Sequence, residues 1–257
     1  QVTPVVAPLP PPRQADQAVP SWPPRRPGSL GFDAATRKHV EASAKRHQRA
    51  LAAHSGVRFR LDQMTPSVAV AGHAARLELD NRAAREAVFA AIDASAQSVQ
   101  LQCYIFEPSR FAEDLAVRLI RCARRGVRVS LLVDALYSRQ EVLGAVNPLL
   151  EGLAHEPGVD VRASKPIPTF GSMDVRTVKE RDHRKLIVVD STLAFVSGRN
   201  VGDAYYSGFD EVPIADFTVH ERIPWLDAHL ELRGPVVSDI ESAFQAAFDG
   251  AGEHLEA

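Results

Sequence analysis

The sequence is poor in cysteine, and it has no long hydrophobic run. Only two cysteines, Cys103 and Cys122, occur among the 257 residues. Both lie in apolar runs, so we expect buried free thiols and no disulfide framework. No apolar run approaches the roughly 20 residues that a membrane-spanning helix needs. The chain begins at Gln1, which is consistent with a removed export signal or a trimmed chain.

An excess of charge of either sign is also missing. Lysine and arginine together number 30 against 32 acidic residues, which gives a net charge of −2. Proteins that bind nucleic acid without sequence preference are usually clearly basic, so the composition argues against nucleic acid as a partner. Lysine itself is rare, with five residues against 25 arginines, so a lysine in a motif is not simply the default cation of this chain.

The composition divides the chain into three parts. Residues 1–30 hold nine of the 18 prolines and are predicted to be a disordered arm. Residues 31–75 are predicted to be an N-terminal helical extension with a basic polar face. Such a helix either lies on an anionic membrane or packs its thin apolar stripe on the main domain. Residues 76–257 are predicted to form that main domain.

Within the main domain, helical and strand patterns alternate. Helices are predicted for residues 81–98, 111–126, 147–158 and 238–248, and strands for 99–106, 127–135, 159–164, 183–190, 193–198 and 225–235. This alternation predicts an α/β fold, with a mostly parallel or mixed central sheet and helices on both faces. The irregular stretch 164–180 is long enough to form part of a site.

The stretch "RDHRKLIVVD" at 181–190 joins basic residues to a buried strand. Residues two apart on a strand face the same side, so His183 and Lys185 share a face. Asp190 either points the other way or lies beyond the strand end. An imidazole can act as nucleophile or proton carrier, and an ammonium beside it can hold a phosphate oxygen. The pair therefore predicts a phosphate site.

The segment "FVSGRN" ends the next predicted strand. Gly198 allows close backbone approach there, and the Asn200 amide can donate to an oxyanion. "HRKLIVVD" followed by "SGRN" resembles the signature of the phospholipase D superfamily, which includes cardiolipin synthases, bacterial phospholipases D and some nucleases. The likeness extends over about residues 76–250 and is strongest to the N-terminal half of cardiolipin-synthase-like members. Ser197 stands where the family usually has glycine, a change that the family tolerates.

The resemblance implies a two-step reaction that needs no metal ion and no other cofactor. One motif histidine attacks phosphorus and forms a phosphohistidine, while a second motif histidine protonates the leaving alkoxide. Water or another alcohol then accepts the phosphoryl group. By resemblance, His183 is the nucleophile or the acid/base, Lys185 binds phosphate and Asn200 supports it. The residues predicted to support these groups are Asp190, Ser197 and Gly198.

A catalytic histidine normally needs an acceptor that fixes its tautomer. By resemblance, the carboxylate that pairs with His183 is Asp227, in the predicted strand 225–235. The alternative is that Asp227 belongs to the solvated face of an edge strand, and Glu211 and Asp216 are the competing carboxylates.

The chain carries one such motif where the mechanism needs two, because no other histidine has lysine two residues on. Either a C-terminal half supplies the second motif, or a homodimer mate does, or the chain is a non-catalytic phosphate-binding half domain. We expect a phospholipid substrate, hydrolysed or transferred as a phosphatidyl group to an alcohol. The alternative is an endonuclease of the same superfamily. A phospholipid substrate implies peripheral membrane contact, in a membrane-peripheral or exported, periplasmic bacterial protein.

Overall fold

A computed structural model describes residues 72–138, 140–141, 145–164, 181–212, 224–251 and 253–254. The proline-rich arm, all but the last residues of the predicted helical extension, most of the stretch 164–180 and Asp216 lie outside the described residues. None of the helices in the described part is long and apolar enough to cross a membrane.

Helices and strands alternate along the described chain. The helices α1 to α6 are Asn81–Asp93, Arg110–Arg124, Ala135–Ser138, Pro148–Ala154, Asp203–Tyr206 and Val236–Asp249. The strands β1 to β10 are Ala74–Glu78, Ser98–Cys103, Arg128–Asp134, Gln140–Glu141, Ala145–Val146, Val159–Ser164, Leu186–Val189, Leu193–Ser197, His229–Arg233 and Glu253–His254.

Eight of the described strands form one sheet, in the order β1-β9-β8-β7-β2-β3-β6-β10. The pairs β2–β3 and β3–β6 are parallel, and all the other neighbours in this sheet are antiparallel. The predicted α/β fold is confirmed, with a mixed sheet.

Helices cover both faces of this sheet. On one face, α1 and α2 pack against strand residues such as Leu101, Leu131 and Ile187. On the other face, α6 packs against residues such as Leu186 and Val188. All four residues of β7 are therefore buried, as the uninterrupted aliphatic run predicts. Cys103 and Cys122 are buried free thiols, as expected.

Asp190 lies beyond the end of β7 and ties that turn to the start of β2. Its carboxylate accepts hydrogen bonds from the backbone N–H groups of Ala96 (2.9 Å), Gln97 (2.7 Å) and Ser98 (2.9 Å). Because these three N–H groups donate to Asp190, they cannot make helical hydrogen bonds. The helix predicted over 81–98 is therefore too long, and α1 ends at Asp93.

Several strands also differ from the sequence prediction. The predicted strand 183–190 is shorter, since β7 runs over Leu186–Val189 and His183 lies in the segment before it. The predicted strand 225–235 is shorter, since β9 begins at His229, so Asp227 lies in the segment before it. Strand β1 was not predicted, and it begins at Ala74, two residues before the predicted domain boundary. The strand is an edge strand exposed along most of its length, so its sequence shows no apolar alternation to indicate it.

The turn at Asp190 yields a test of stability. Burial alone would raise the pKa of the Asp190 carboxyl, but the three N–H donors outweigh it, so this pKa lies below its ordinary value. We expect Asp190→Asn to lower the free energy of unfolding at pH 7 by about 1–3 kcal/mol. A depressed carboxyl pKa stabilises the fold above the unfolded pKa, so the difference from wild type should shrink as pH falls below about 4.

Urea unfolding at pH 7 and at pH 3 measures this difference. Asp239→Asn is the matched control, because Asp239 is an exposed carboxylate in the first turn of α6. Equal destabilisation by the two variants would contradict the assigned role of Asp190.

Candidate active site

The motif residues lie at one end of the sheet, on the face that α1 and α2 cover. Lys185 precedes Ile187 of that core by two residues, and its carbonyl accepts a hydrogen bond from the Ser197 N–H (3.0 Å). Ser197 pairs in turn with His229 of β9. Residues that face each other across an antiparallel ladder direct their side chains to the same side. Lys185, Ser197 and His229 therefore form a transverse row across three strands.

His183 and Lys185 are in contact, although both precede β7 and the strand spacing predicted only a shared face. The Lys185 Nζ atom lies 2.9 Å from Nδ1 and 3.2 Å from Nε2 of the His183 ring, and it donates to the His183 carbonyl oxygen (2.8 Å). Lys185 is only 5% exposed, whereas His183 is exposed. The arrangement presents an open imidazole beside a sheltered ammonium.

The surroundings of Lys185 alter its acidity. Burial lowers the pKa of the Lys185 ammonium from its ordinary value, and Cys103, Asp227 and Asp182 partly offset that effect. The two carboxylates thus favour the charged form that a phosphate would require. Among the described residues no hydrogen bond joins Asp227 to His183. The charge of Asp227 acts on the Lys185 ammonium.

An aromatic wall stands beside the pair. The Tyr104 ring lies 4.4 Å from the His183 ring and 4.7 Å from the Tyr137 ring, between centroids. The Lys185 Nζ atom lies 5.3 Å from the centroid of the Tyr104 ring, within the range of a cation–π contact. The sequence places Tyr104 within the predicted strand 99–106, and its contact with His183 was not predicted.

Asp227 lies against Gly198. A Cβ atom built on Gly198 would come within 2.6 Å of Asp227 Cγ and 2.9 Å of Asp227 Oδ2. The carboxylate also accepts a hydrogen bond from the Ala228 N–H (2.9 Å). Gly198 is thus needed for close approach, as predicted for this position, and the group that approaches is the Asp227 carboxylate.

Of the competing carboxylates, Glu211 is engaged elsewhere. Its two oxygens accept from Arg85 Nη1 (2.7 Å) and Nη2 (2.9 Å), and both side chains are buried. This pairing lowers the pKa of the Glu211 carboxyl, against burial, which would raise it. Glu211 is therefore a structural ion-pair partner.

Asn200 is buried and joins two loops. Its Oδ1 atom accepts from the Ile105 N–H (3.1 Å), and its Nδ2 atom donates to the Tyr205 hydroxyl (3.0 Å). Ser197 Oγ accepts from the Arg199 N–H (2.9 Å) and donates to the Ala228 carbonyl (3.3 Å). Both residues thus hold the segment after β8 in place.

Arg199 is a buried residue that sequence reasoning missed. Its Nη2 atom donates to the Asp227 carbonyl (2.5 Å), to Asn81 Oδ1 (3.0 Å) and to the Leu79 carbonyl (3.1 Å). One guanidinium thus anchors the segment that carries Asp227 to the start of α1. The position lies between Gly198 and Asn200 of the motif, but the sequence does not indicate which way its side chain points.

A second buried ion pair fixes the chain just before the motif. Arg181 Nη1 lies 3.0 Å from both carboxylate oxygens of Asp134, at the end of β3. Both side chains are almost fully buried. Through Arg181, the chain just before His183 is therefore attached to β3, in the parallel part of the sheet.

Comparisons with known proteins agree with this fold. The family model described as cardiolipin synthase, PLD-like domain, matches residues 88–216. The chain belongs to the phospholipase D superfamily, in its cardiolipin-synthase-like branch. NucT from Helicobacter pylori has a similar fold, with a TM-score of 0.50 and 15% identity over 69% of this chain and 97% of that chain.

The curated relatives are longer proteins. Cardiolipin synthase A of Pseudomonas aeruginosa is 32% identical over 184 residues, which cover 72% of this chain and 34% of that protein. Cardiolipin synthase A of Pseudomonas putida is 30% identical over 175 residues, covering 68% of this chain and 33% of that protein. The chain thus spans about a third of the length of these relatives.

The contact between Gly198 and Asp227 can be tested by a double-mutant cycle. We expect Gly198→Ala to lower the free energy of unfolding by about 1–3 kcal/mol, because the added methyl group displaces the carboxylate. In the Asp227→Ala background the same change should have little effect, since no carboxylate remains to be displaced. Urea denaturation of the four proteins measures the coupling, and additive effects would show that the two residues do not touch.

Proposed function

We propose that this chain supplies one half of a phosphodiester-transfer site that acts on phospholipids. The contact of the Lys185 ammonium with the His183 imidazole carries the proposal. An ammonium held 2.9 Å from an exposed imidazole places a phosphate-binding cation beside a nucleophilic nitrogen. The likeness to cardiolipin synthases A supports a phosphatidyl group as the transferred unit.

The proposed reaction begins when a ring nitrogen of His183 attacks phosphorus. The P–N bond forms as the P–O bond to the head group breaks, and a second histidine protonates the departing alkoxide. Water or another alcohol then attacks the phosphohistidine, gives its proton to that second histidine and releases His183. Lys185 neutralises charge on the phosphate oxygens in both steps, and the negative charge of Asp227 favours the protonated ammonium.

The second histidine must come from outside the motif found here. The sequence contains one His-x-Lys motif, so we propose that the remainder of a longer protein or a second copy provides the other. The coverage of about a third of the related synthases supports the first source.

Membrane contact is part of the same proposal. Trp225 and Leu226, directly before Asp227, are 59% and 65% exposed and are among the most exposed large apolar side chains of the described residues. Tryptophan and leucine at the surface favour the boundary between head groups and acyl chains. We propose that this pair meets the lipid surface, so that the site opens toward its substrate.

The activity test uses the full-length protein with phosphatidylglycerol vesicles and, in parallel, plasmid DNA. We expect loss of phospholipid turnover by about a thousandfold or more in His183→Asn, because the attacking nitrogen is removed. His155→Asn is the matched control, since His155 is an exposed histidine at the end of α4. Retained activity in His183→Asn would exclude His183 as nucleophile, and cleavage of DNA in place of lipid would identify a nuclease.

The source of the second motif is tested on the isolated chain. If the other half lies in a longer protein, the isolated chain should be monomeric by light scattering and inactive. A dimer with activity would instead identify a homodimer mate. Turnover by a monomer of this chain would contradict the two-histidine mechanism.

A further inference from the structure

A small pocket lies beside Lys185. Its polar lining residues are Gln102, Lys185, Ser197, Arg199, Tyr206 and His229, and aliphatic and aromatic side chains with Cys103 form the rest of the wall. No aspartate or glutamate is among the described residues that line it. Two of the lining residues are cationic, and Gln102 also offers an acceptor, because its Oε1 atom is buried without a partner among the described residues.

His229 is the unexplained member of this lining. The residue is 1% exposed, and neither Nδ1 nor Nε2 of its ring has a hydrogen-bond partner among the described residues. Its one ring contact is Phe195, whose centroid lies 5.0 Å away. A buried polar atom without a partner is destabilising, so such atoms are nearly always satisfied by protein or by ordered water.

Arg199 has an unsatisfied atom in the same pocket. Its Nη2 atom is fully used by the carbonyl and amide oxygens described above, but Nη1 is buried without a partner among the described residues. Four polar atoms without partners among the described residues, one of Gln102, one of Arg199 and two of His229, thus belong to residues that line one pocket with Lys185. An internal water needs about two to four polar partners, and this lining provides them.

We propose that ordered water fills this pocket and that His229 is a positioning residue, which holds the Lys185 ammonium through that water. A neutral imidazole both accepts and donates one hydrogen bond. The water can therefore accept from Lys185 and Arg199, which only donate, and donate to His229. Aliphatic residues at position 229 cannot take this role, whereas glutamine can.

The electrostatics of the pocket agree with a neutral His229. Burial lowers the pKa of His229 to about 4, and the positive charges of Arg199 and Arg76 contribute. A protonated imidazole would be a third cation beside Lys185 and Arg199, and it could no longer accept a hydrogen bond from the water. That the Lys185 ammonium binds phosphate rests on the function proposed above. The water site itself does not depend on that function.

Two measurements test the inference without any substrate. The first is a crystal structure of the protein at a resolution that shows ordered water, grown in the presence of bromide. Water density between His229 and Arg199 or Lys185 is expected. A dry pocket, or an anomalous bromide peak in it, would overturn the proposal.

The second measurement is the pKa of Lys185, followed by NMR of its side chain. The chain has only five lysines, so comparison with Lys185→Arg assigns the signal. We expect His229→Gln to leave the Lys185 pKa near its wild-type value and His229→Leu to lower it further, by about one unit, because the ammonium loses its water. His155→Leu is the matched control and should have no effect.

These outcomes separate the roles of His229. If His229→Leu folds and the Lys185 pKa is unchanged, His229 does not act on Lys185 and the positioning role is wrong. If His229→Leu fails to fold, His229→Gln decides, because a shift of the Lys185 pKa despite retained fold would also contradict the proposal. If the full-length protein turns over no phosphodiester, while the water is present and His229→Leu shifts the Lys185 pKa, the proposed function alone is refuted.

Discussion

The site depends on one physical constraint, which is the burial of a lysine ammonium at the end of a strand that is covered on both faces. Strand β7 is buried throughout, so Lys185 has no freedom to move outward with its backbone. Its ammonium is sheltered by the aromatic wall on one side and by Ser197 and His229, the other two members of the transverse row, on the other. A buried charge is unfavourable unless nearby groups stabilise it. The burial of the Lys185 ammonium therefore requires the polar groups that surround it.

Most of these polar groups hold chain segments in place and take no part in the proposed reaction. Arg199 fixes the segment of Asp227, Asn200 joins the loops after β2 and β8, and the pair of Arg181 with Asp134 fixes the approach to the motif. Each connects parts of the chain that are distant in sequence. The consequence is that a short motif is held by contacts from nearly every segment around it, which limits the motion of His183 and Lys185.

Much of the fold follows from local patterns. The apolar periodicity of residues 81–134 and the four aliphatics after Lys185 predict α1, α2, β2, β3 and β7 with errors of a few residues. The errors occur where tertiary contacts compete with local preference. Asp190 captures the N–H groups of residues 96–98 and shortens α1, and β1 exists because β9 offers its edge, although its own sequence has no strand alternation.

For the site, the chemistry of the motif can be read from the residues alone: an imidazole and an ammonium two residues apart, with a glycine and an amide after the next strand. These depend on residue type and spacing, which are local. The tertiary structure decided which side chains surround them, namely Tyr104, Arg199 and His229, and that the Asp227 carboxylate rests on Gly198. Strands β2, β7, β8 and β9 become neighbours only through long-range pairing, so no pattern along the chain can specify a row that runs across them.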